Sequence, residues 1–114
     1  MFRQRDLLLL SFPFSELKTT KVRPVVVISS NKYNEKFDDM IVVPVTSNLE
    51  QRGYSILIAN KDLEEGKLIK ESKIKVDRIL SVSKSLVKMR IGKVGKHIHC
   101  SIRKILIELI EDNK

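Results

Sequence analysis

An arginine at the mouth of one apolar run and a hydroxyl pair at the end of another are the side chains best suited to chemistry in this chain. Arg23-Pro24 leads straight into Val25-Val26-Val27-Ile28, and Pro44-Val45-Thr46-Ser47 closes the run Ile41-Val42-Val43. Proline presets its own φ and drives the preceding residue into an extended conformation, so Arg23 is held at the start of its strand. A guanidinium held there can grip a phosphate through two parallel hydrogen bonds. It is equally a plain surface arginine at a strand end. Thr46 and Ser47 point to opposite faces of a flat strand, so only one can face Arg23 unless the chain bends, and Pro44 makes a bend available. Hydroxyls at strand ends also serve the local backbone in Ser/Thr turns.

A second group lies further on. At period two, Lys73, Lys75 and Asp77 share one strand face while Ile74 and Val76 share the other. A lysine and a carboxylate so arranged are an acid and a base, or an exposed ion pair that contributes little. His97 and His99 stand roughly 200° apart around a helix and cannot share a metal ion. Cys100 is the single cysteine, which excludes an internal disulfide, and it reads as a small core residue of an apolar helix. The 4 glycines form no phosphate-cradling loop. Neither a metal nor another cofactor is expected.

The elements that must position these groups are mostly strands. Asp6 to Phe12 is apolar enough to be buried on both faces, with Pro13 ending it. A polar loop, Ser15 to Lys21, leads to a strand from Val22 to Ser29. Ser30 to Phe37 holds one helical turn capped by Ser30 or Asn31. Met40 to Val45 is a third strand, in which Pro44 marks an edge or an end. Further strands are expected at Gly53 to Ile58 and Leu68 to Asp77, with Arg78 to Ser83 continuing or pairing with the latter. Asn48 to Arg52 is a turn, and Asn60 to Lys67 a turn or short helix. Gly92 and Gly95 flank a connection into a helix from Lys96 to Glu111. Its stripe of Ile98, Ile102, Ile105, Leu106, Leu109 and Ile110 has amphipathic spacing. Five to seven short strands in 114 residues cannot bury both faces while lying flat. They must curl into a small barrel or a pair of packed sheets with the helix over one side, a mainly β (α+β) single domain over residues 1–114.

Twenty-two basic against fourteen acidic residues leave a net charge of +8, and the isoelectric point is near 9.7. Such a surplus attracts polyanions, which makes nucleic acid or an acidic protein the natural partner. Aromatic residues are only 5%, too few for a stacking platform that binds single strands without sequence preference. No apolar run approaches the ~20 residues of a membrane span, and Leu7 to Leu10 is too short for a signal segment. A cytoplasmic protein with no membrane partner is expected.

The stretch from Asp6-Leu-Leu-Leu-Leu-Ser-Phe-Pro-Phe through Lys21-Val-Arg-Pro-Val-Val-Val-Ile-Ser29 resembles the toxins of the MazF/PemK (Kid) family. Val43-Pro-Val-Thr-Ser47 resembles the same family's second signature, and the likeness extends over about residues 5 to 110. It implies an SH3-like β-barrel with a C-terminal α-helix, assembled as a homodimer. It also implies the toxin of a type II toxin–antitoxin pair, a metal-independent, sequence-specific endoribonuclease acting on single-stranded mRNA. An acidic antitoxin is the implied protein partner, with DNA reached only through that antitoxin.

In the family the arginine at Arg23 is the one that active members rely on, and the threonine at Thr46 contacts the scissile phosphate. Lys75-Val76-Asp77 matches the arginine-x-aspartate triplet of the PemK branch with lysine for arginine. Arg78 stands for the usual glutamine, and Arg5 for the usual glycine before Asp6. Cleavage without a metal requires a base for the ribose 2′-OH, charge on the phosphorane to be neutralised, and an acid for the leaving 5′-oxygen. The expected roles are Arg23 on the phosphorane, Thr46 positioning the phosphate, Asp77 as base and Lys75 as acid. A guanidinium gives up its proton only with difficulty, so an electrostatic role suits Arg23 better than proton transfer. Ser47, Lys18, Lys21 and Lys73 are expected to bind the substrate. Two other readings stand beside this one: the same barrel binding RNA or antitoxin without cleavage, and a basic structural protein of a ribonucleoprotein.

Overall fold

The computed structural model describes residues 1–14, 19–50 and 53–112. Strands run over Asp6–Phe14 (β1), Thr19–Val27 (β2), Asp39–Thr46 (β3), Ser55–Ile58 (β4), Leu63–Gly66 (β5), Ser72–Lys75 (β6), Leu80–Ser83 (β7) and Val87–Val94 (β8). Helices occupy Asn31–Lys36 (α1) and Lys96–Ile110 (α2). The strands are ordered β4-β6-β3-β2-β1-β8-β5, with β7 also paired to β3. Every pairing is antiparallel. The sheet curls into a half-barrel that α2 covers, the mainly β architecture expected from the sequence.

The central strands are apolar on both faces because both faces are covered. Leu7, Val26, Val43, Ile58, Ile74 and Val94 form one core with Ile98 and Ile102 of α2. Leu8, Leu10, Val25, Val27, Met40, Val42 and Val82 form a second core on the other side. Alternating residues of the same runs divide between the two, as a pleated strand requires. At the end of β2, Ser30 caps α1 by accepting a hydrogen bond from the Tyr33 N–H at 3.1 Å.

Several expectations need correction. Pro13 lies within β1, opposite Thr20, and β2 begins at Thr19, so Lys21 stands in a strand. The strand expected from Leu68 to Asp77 is only Ser72–Lys75, and the chain turns after it. β7 pairs with β3, not with β6. Gly92, expected to flank a connection, stands inside β8; β5 crosses so close that a Cβ on Gly92 would sit 2.5 Å from the Glu65 carbonyl oxygen. Cys100 is exposed, on the side of α2 that carries Lys96, His99 and Arg103, and Ile110 is 79% exposed at the last residue of the helix.

The N-terminal approach to β1 is tightly tied. Arg5 has φ +78°, a left-handed conformation that side chains disfavour by about 1–2 kcal/mol. Its backbone is held on both sides, with its N–H donating to Val27 O at 2.8 Å and its carbonyl accepting from Val94 N at 3.0 Å. Its guanidinium donates to Val94 O at 3.0 Å and pairs with Glu64. Removing the side chain as Arg5→Ala loses those contacts and keeps the strain; Arg5→Gly loses the same contacts and releases it. Arg5→Gly is therefore expected to be the more stable variant by about 1 kcal/mol in urea denaturation. An alanine variant at least as stable as the glycine variant would show that this conformation carries no strain.

Candidate active site

Two prolines open the site. β2 and β3 pair at Val27–Val42, Val26–Val43 and Val25–Pro44, and there the ladder ends. The next residues are Pro24 on one strand and Val45 on the other, and neither Pro24 nor Pro44 has an N–H with which to continue it. β3 then exchanges neighbours: Asp39 to Val42 pair with β7, whereas Val45 and Thr46 pair with Ile74 and Lys73 of β6. Pro44 sits between the two ladders. An edge or a strand end is expected near Pro44; it stands in a central strand, two residues before that strand ends at Thr46 and at the point where the strand changes partner.

Past this fork β2 carries Arg23 and β3 carries Thr46, and the space between them forms two clefts. One, of about 460 Å³, is lined by Arg23, Pro44, Thr46, Lys75, Asp77, Arg78 and Leu80. The other, also about 460 Å³, is lined by Arg23, Pro24, Thr46, Ser47 and Lys70, with Leu9, Val22, Leu68 and Ile69 as its apolar wall. Arg23, Val45 and Thr46 belong to both. The arginine and the threonine thus stand where an elongated ligand would pass from one lobe to the other.

Local structure aims each group. Thr46 Oγ1 accepts the Asn48 N–H at 3.1 Å, a local Ser/Thr turn that fixes the hydroxyl and leaves its proton to be donated. After β6 the chain closes a turn, Arg78 N to Lys75 O at 3.2 Å, with Val76 N anchored on Tyr54 O at 3.1 Å. Lys75 and Asp77 therefore reach one cleft across a turn, not along one strand face. Arg23 is exposed, while Thr46, Lys75 and Asp77 are half-buried.

The expected substrate-binding residues divide. Ser47 lines the second cleft. Lys21 is exposed on β2 two residues before Arg23, on the same strand face but outside both linings. Lys73 is 7% exposed, and its ammonium donates to Glu50 O at 3.4 Å, so it belongs to the scaffold beside the site. Lys18 lies outside the described residues. Leu68, Ile69 and Lys70, within the stretch where the sequence predicts a strand, lie outside regular structure and line the second cleft. His97 is bound elsewhere, its Nε2 lying 3.0 Å from Asp62 Oδ1, and this contact with the Ala59 N–H holds the Asp62 carboxyl below its usual range. Among the described residues no three His, Cys, Asp or Glu side chains converge as a metal-ligand set, and no helix is long and apolar enough to cross a membrane.

The family model described as PemK-like, MazF-like toxin of type II toxin-antitoxin system matches residues 3–110. No curated protein sequence matches the chain. Among solved structures, an endoribonuclease in complex with its cognate antitoxin from a mycobacterial species superimposes with a TM-score of 0.79 at 13% identity, covering 100% of this chain and 99% of that one. A MazE–MazF structure from Deinococcus radiodurans gives a TM-score of 0.79 at 18% identity, covering 98% of each chain. The Mycobacterium tuberculosis toxin MazF-mt6 gives 0.75 at 13% identity, covering 96% of this chain and 100% of that one. At these identities the structural likeness establishes the fold.

Proposed function

Because the chain belongs to the PemK-like, MazF-like toxin family of type II toxin–antitoxin systems, we propose that it is a metal-independent endoribonuclease acting on single-stranded mRNA. The observation that carries this reading is the junction of two clefts at Arg23 and Thr46, with Lys75 and Asp77 in one lobe. A single strand crossing the junction would present one phosphodiester to the guanidinium and the hydroxyl. Asp77 takes the proton of the ribose 2′-OH, and the 2′-oxygen bonds to phosphorus. Arg23 neutralises the charge gathered on the phosphorane oxygens, and the Thr46 hydroxyl donates a hydrogen bond to the phosphate and keeps its proton. The bond from phosphorus to the 5′-oxygen breaks, and the leaving oxygen takes a proton from Lys75. The products are a 2′,3′-cyclic phosphate and a free 5′-OH. Dependence on the 2′-OH separates RNA from DNA.

The second lobe, with apolar Leu68 and Ile69 beside Ser47 and Lys70, would hold the neighbouring nucleotides and set the preferred sequence. We further propose a cytoplasmic homodimer controlled by an acidic antitoxin, with DNA bound only through that antitoxin. The net charge of +8 favours rapid association with both the RNA and such a protein.

The test is incubation of the purified protein with a long RNA in EDTA, followed by mapping of the ends. Discrete cuts bearing 2′,3′-cyclic phosphate and 5′-OH ends are expected. RNA that is bound but left intact would overturn cleavage and leave the binding module; Lys75, a point charge where a fork would be stronger, is the feature that favours that second reading.

A further inference from the structure

A second cluster of basic side chains lies away from this junction. A pocket of about 450 Å³ is lined by Arg3, Arg5, Lys93, Lys96 and Arg103, with Gln4, Asn31, His99 and Cys100 completing it. Three parts of the chain supply these cations: the segment before β1, the end of β8, and one face of α2. Lys96, His99 and Arg103 recur at three- and four-residue spacing and so project from the same side of the helix.

Arg5 is paired with Glu64, and Glu64 in turn is held below the usual carboxylate range by Arg5, then by Lys93 and Lys96. That one carboxylate does not balance the group. Among the described residues, Arg3, Lys93, Lys96 and Arg103 form no ion pair. Cations that could turn outward to water converge here on a concavity.

One wall of the pocket is tied down by hydrogen bonds. Gln4 N–H donates to Asn31 Oδ1 at 2.8 Å and Gln4 Nε2 to Ile28 O at 2.9 Å, while Arg3 N–H donates to the buried Asp6 carboxylate at 2.7 Å. These bonds hold the arginine-bearing segment against the start of β1, the residue that follows β2, and the first residue of α1. The charge density decides the ligand class. A phosphodiester brings one negative charge per phosphate, whereas four unpaired cations around one small pocket match the three or more charges of a di- or triphosphate. We propose that this pocket is a second, non-catalytic anion site that binds a di- or triphosphate group, free or at the end of a nucleic acid.

His99 provides a reporter. Its basicity is lowered by burial first, then by the Arg103 and Arg5 charges facing it. Glu64 is the titratable acid near the same cations. A polyanion bound among these cations would offset their effect and raise the His99 pKa.

The experiment is a titration of the intact protein with inorganic triphosphate at 0.15 M salt, followed by NMR and calorimetry. Saturable binding at one site is expected, with amide shifts at residues 3–5 and 93–103 and an upward move of the His99 titration. Lys96→Gln/Arg103→Gln is expected to weaken binding at least tenfold with the fold intact by circular dichroism. Arg23→Ala is expected to leave the affinity within twofold. Binding lost in Arg23→Ala, binding unchanged in the double variant, or no saturation would each overturn the proposal. A short RNA with a 5′-triphosphate, compared with its 5′-OH counterpart, separates the sources. Competition by the triphosphate end assigns the site to nucleic-acid ends; binding of inorganic triphosphate without such competition assigns it to free ligands. Neither arm depends on cleavage, so failure here and failure of the ribonuclease reading are distinct results.

Discussion

Arg23→Ala is expected to lower the rate of RNA cleavage by about 10²–10³-fold, the usual cost of removing one group aimed at developing transition-state charge. The fold should be indifferent to the change. Arg23 is exposed, and among the described residues it makes no ion pair and no side-chain hydrogen bond. Its removal should therefore move stability by no more than about 0.5 kcal/mol. Arg23→Lys separates charge from geometry. It keeps the positive charge and loses the planar fork, so a loss intermediate between wild type and alanine is expected. Single-turnover cleavage beside a thermal melt provides both readouts. Wild-type cleavage by Arg23→Ala would refute the role assigned to the guanidinium, and a large fall in melting temperature would transfer Arg23 to the scaffold.

Asp77→Asn is expected to lower cleavage by about 10²-fold, the lower end of what a positioned general base contributes. The amide matches the carboxylate in shape and still accepts hydrogen bonds, but it takes no proton from the 2′-OH. Binding of a 2′-deoxy RNA analogue should remain within a few-fold of wild type, because that ligand has no proton to give. Loss of cleavage with binding retained marks a base. Equal loss of both would mean that Asp77 shapes the turn after β6, and unchanged cleavage would assign the base elsewhere. The turn makes the comparison informative: Lys75 and Asp77 reach the same cleft from its two ends, so a distorted turn would affect both residues together.

The two signatures were legible because their chemistry is local. Proline restricts the residue before it wherever it occurs, so Arg23-Pro24 and Pro44 marked strand margins without any knowledge of the fold. A cap at Ser30 or Asn31, of which Ser30 is the one, and the core face of α2 at Ile98 and Ile102 were legible for the same reason, since both depend on residues within one or two turns. β8 escaped because Val87 to Val94 mixes lysine, arginine and glycine into a strand whose middle residues Lys88, Met89 and Arg90 are exposed. Its glycine signals a close crossing by β5, not a break. Cys100 was assigned to the core because apolar neighbours surround it in sequence; on α2 it falls on the basic side of the helix.

What the sequence by itself determined was the apolar runs of β1, β2 and β3, the buried stripe of α2, and which residue types border the strand ends. What only the tertiary structure decided was who meets whom. β3 changes partner at Pro44, and that divergence sets Arg23 against Thr46. A turn brings Asp77 into the same cleft, and Arg3 meets Arg103 across nearly the whole length of the chain. Periodicity is a property of neighbours along the backbone and encodes only a face. The choice of partner strand depends on how all the buried faces pack at once, and no window of sequence contains that.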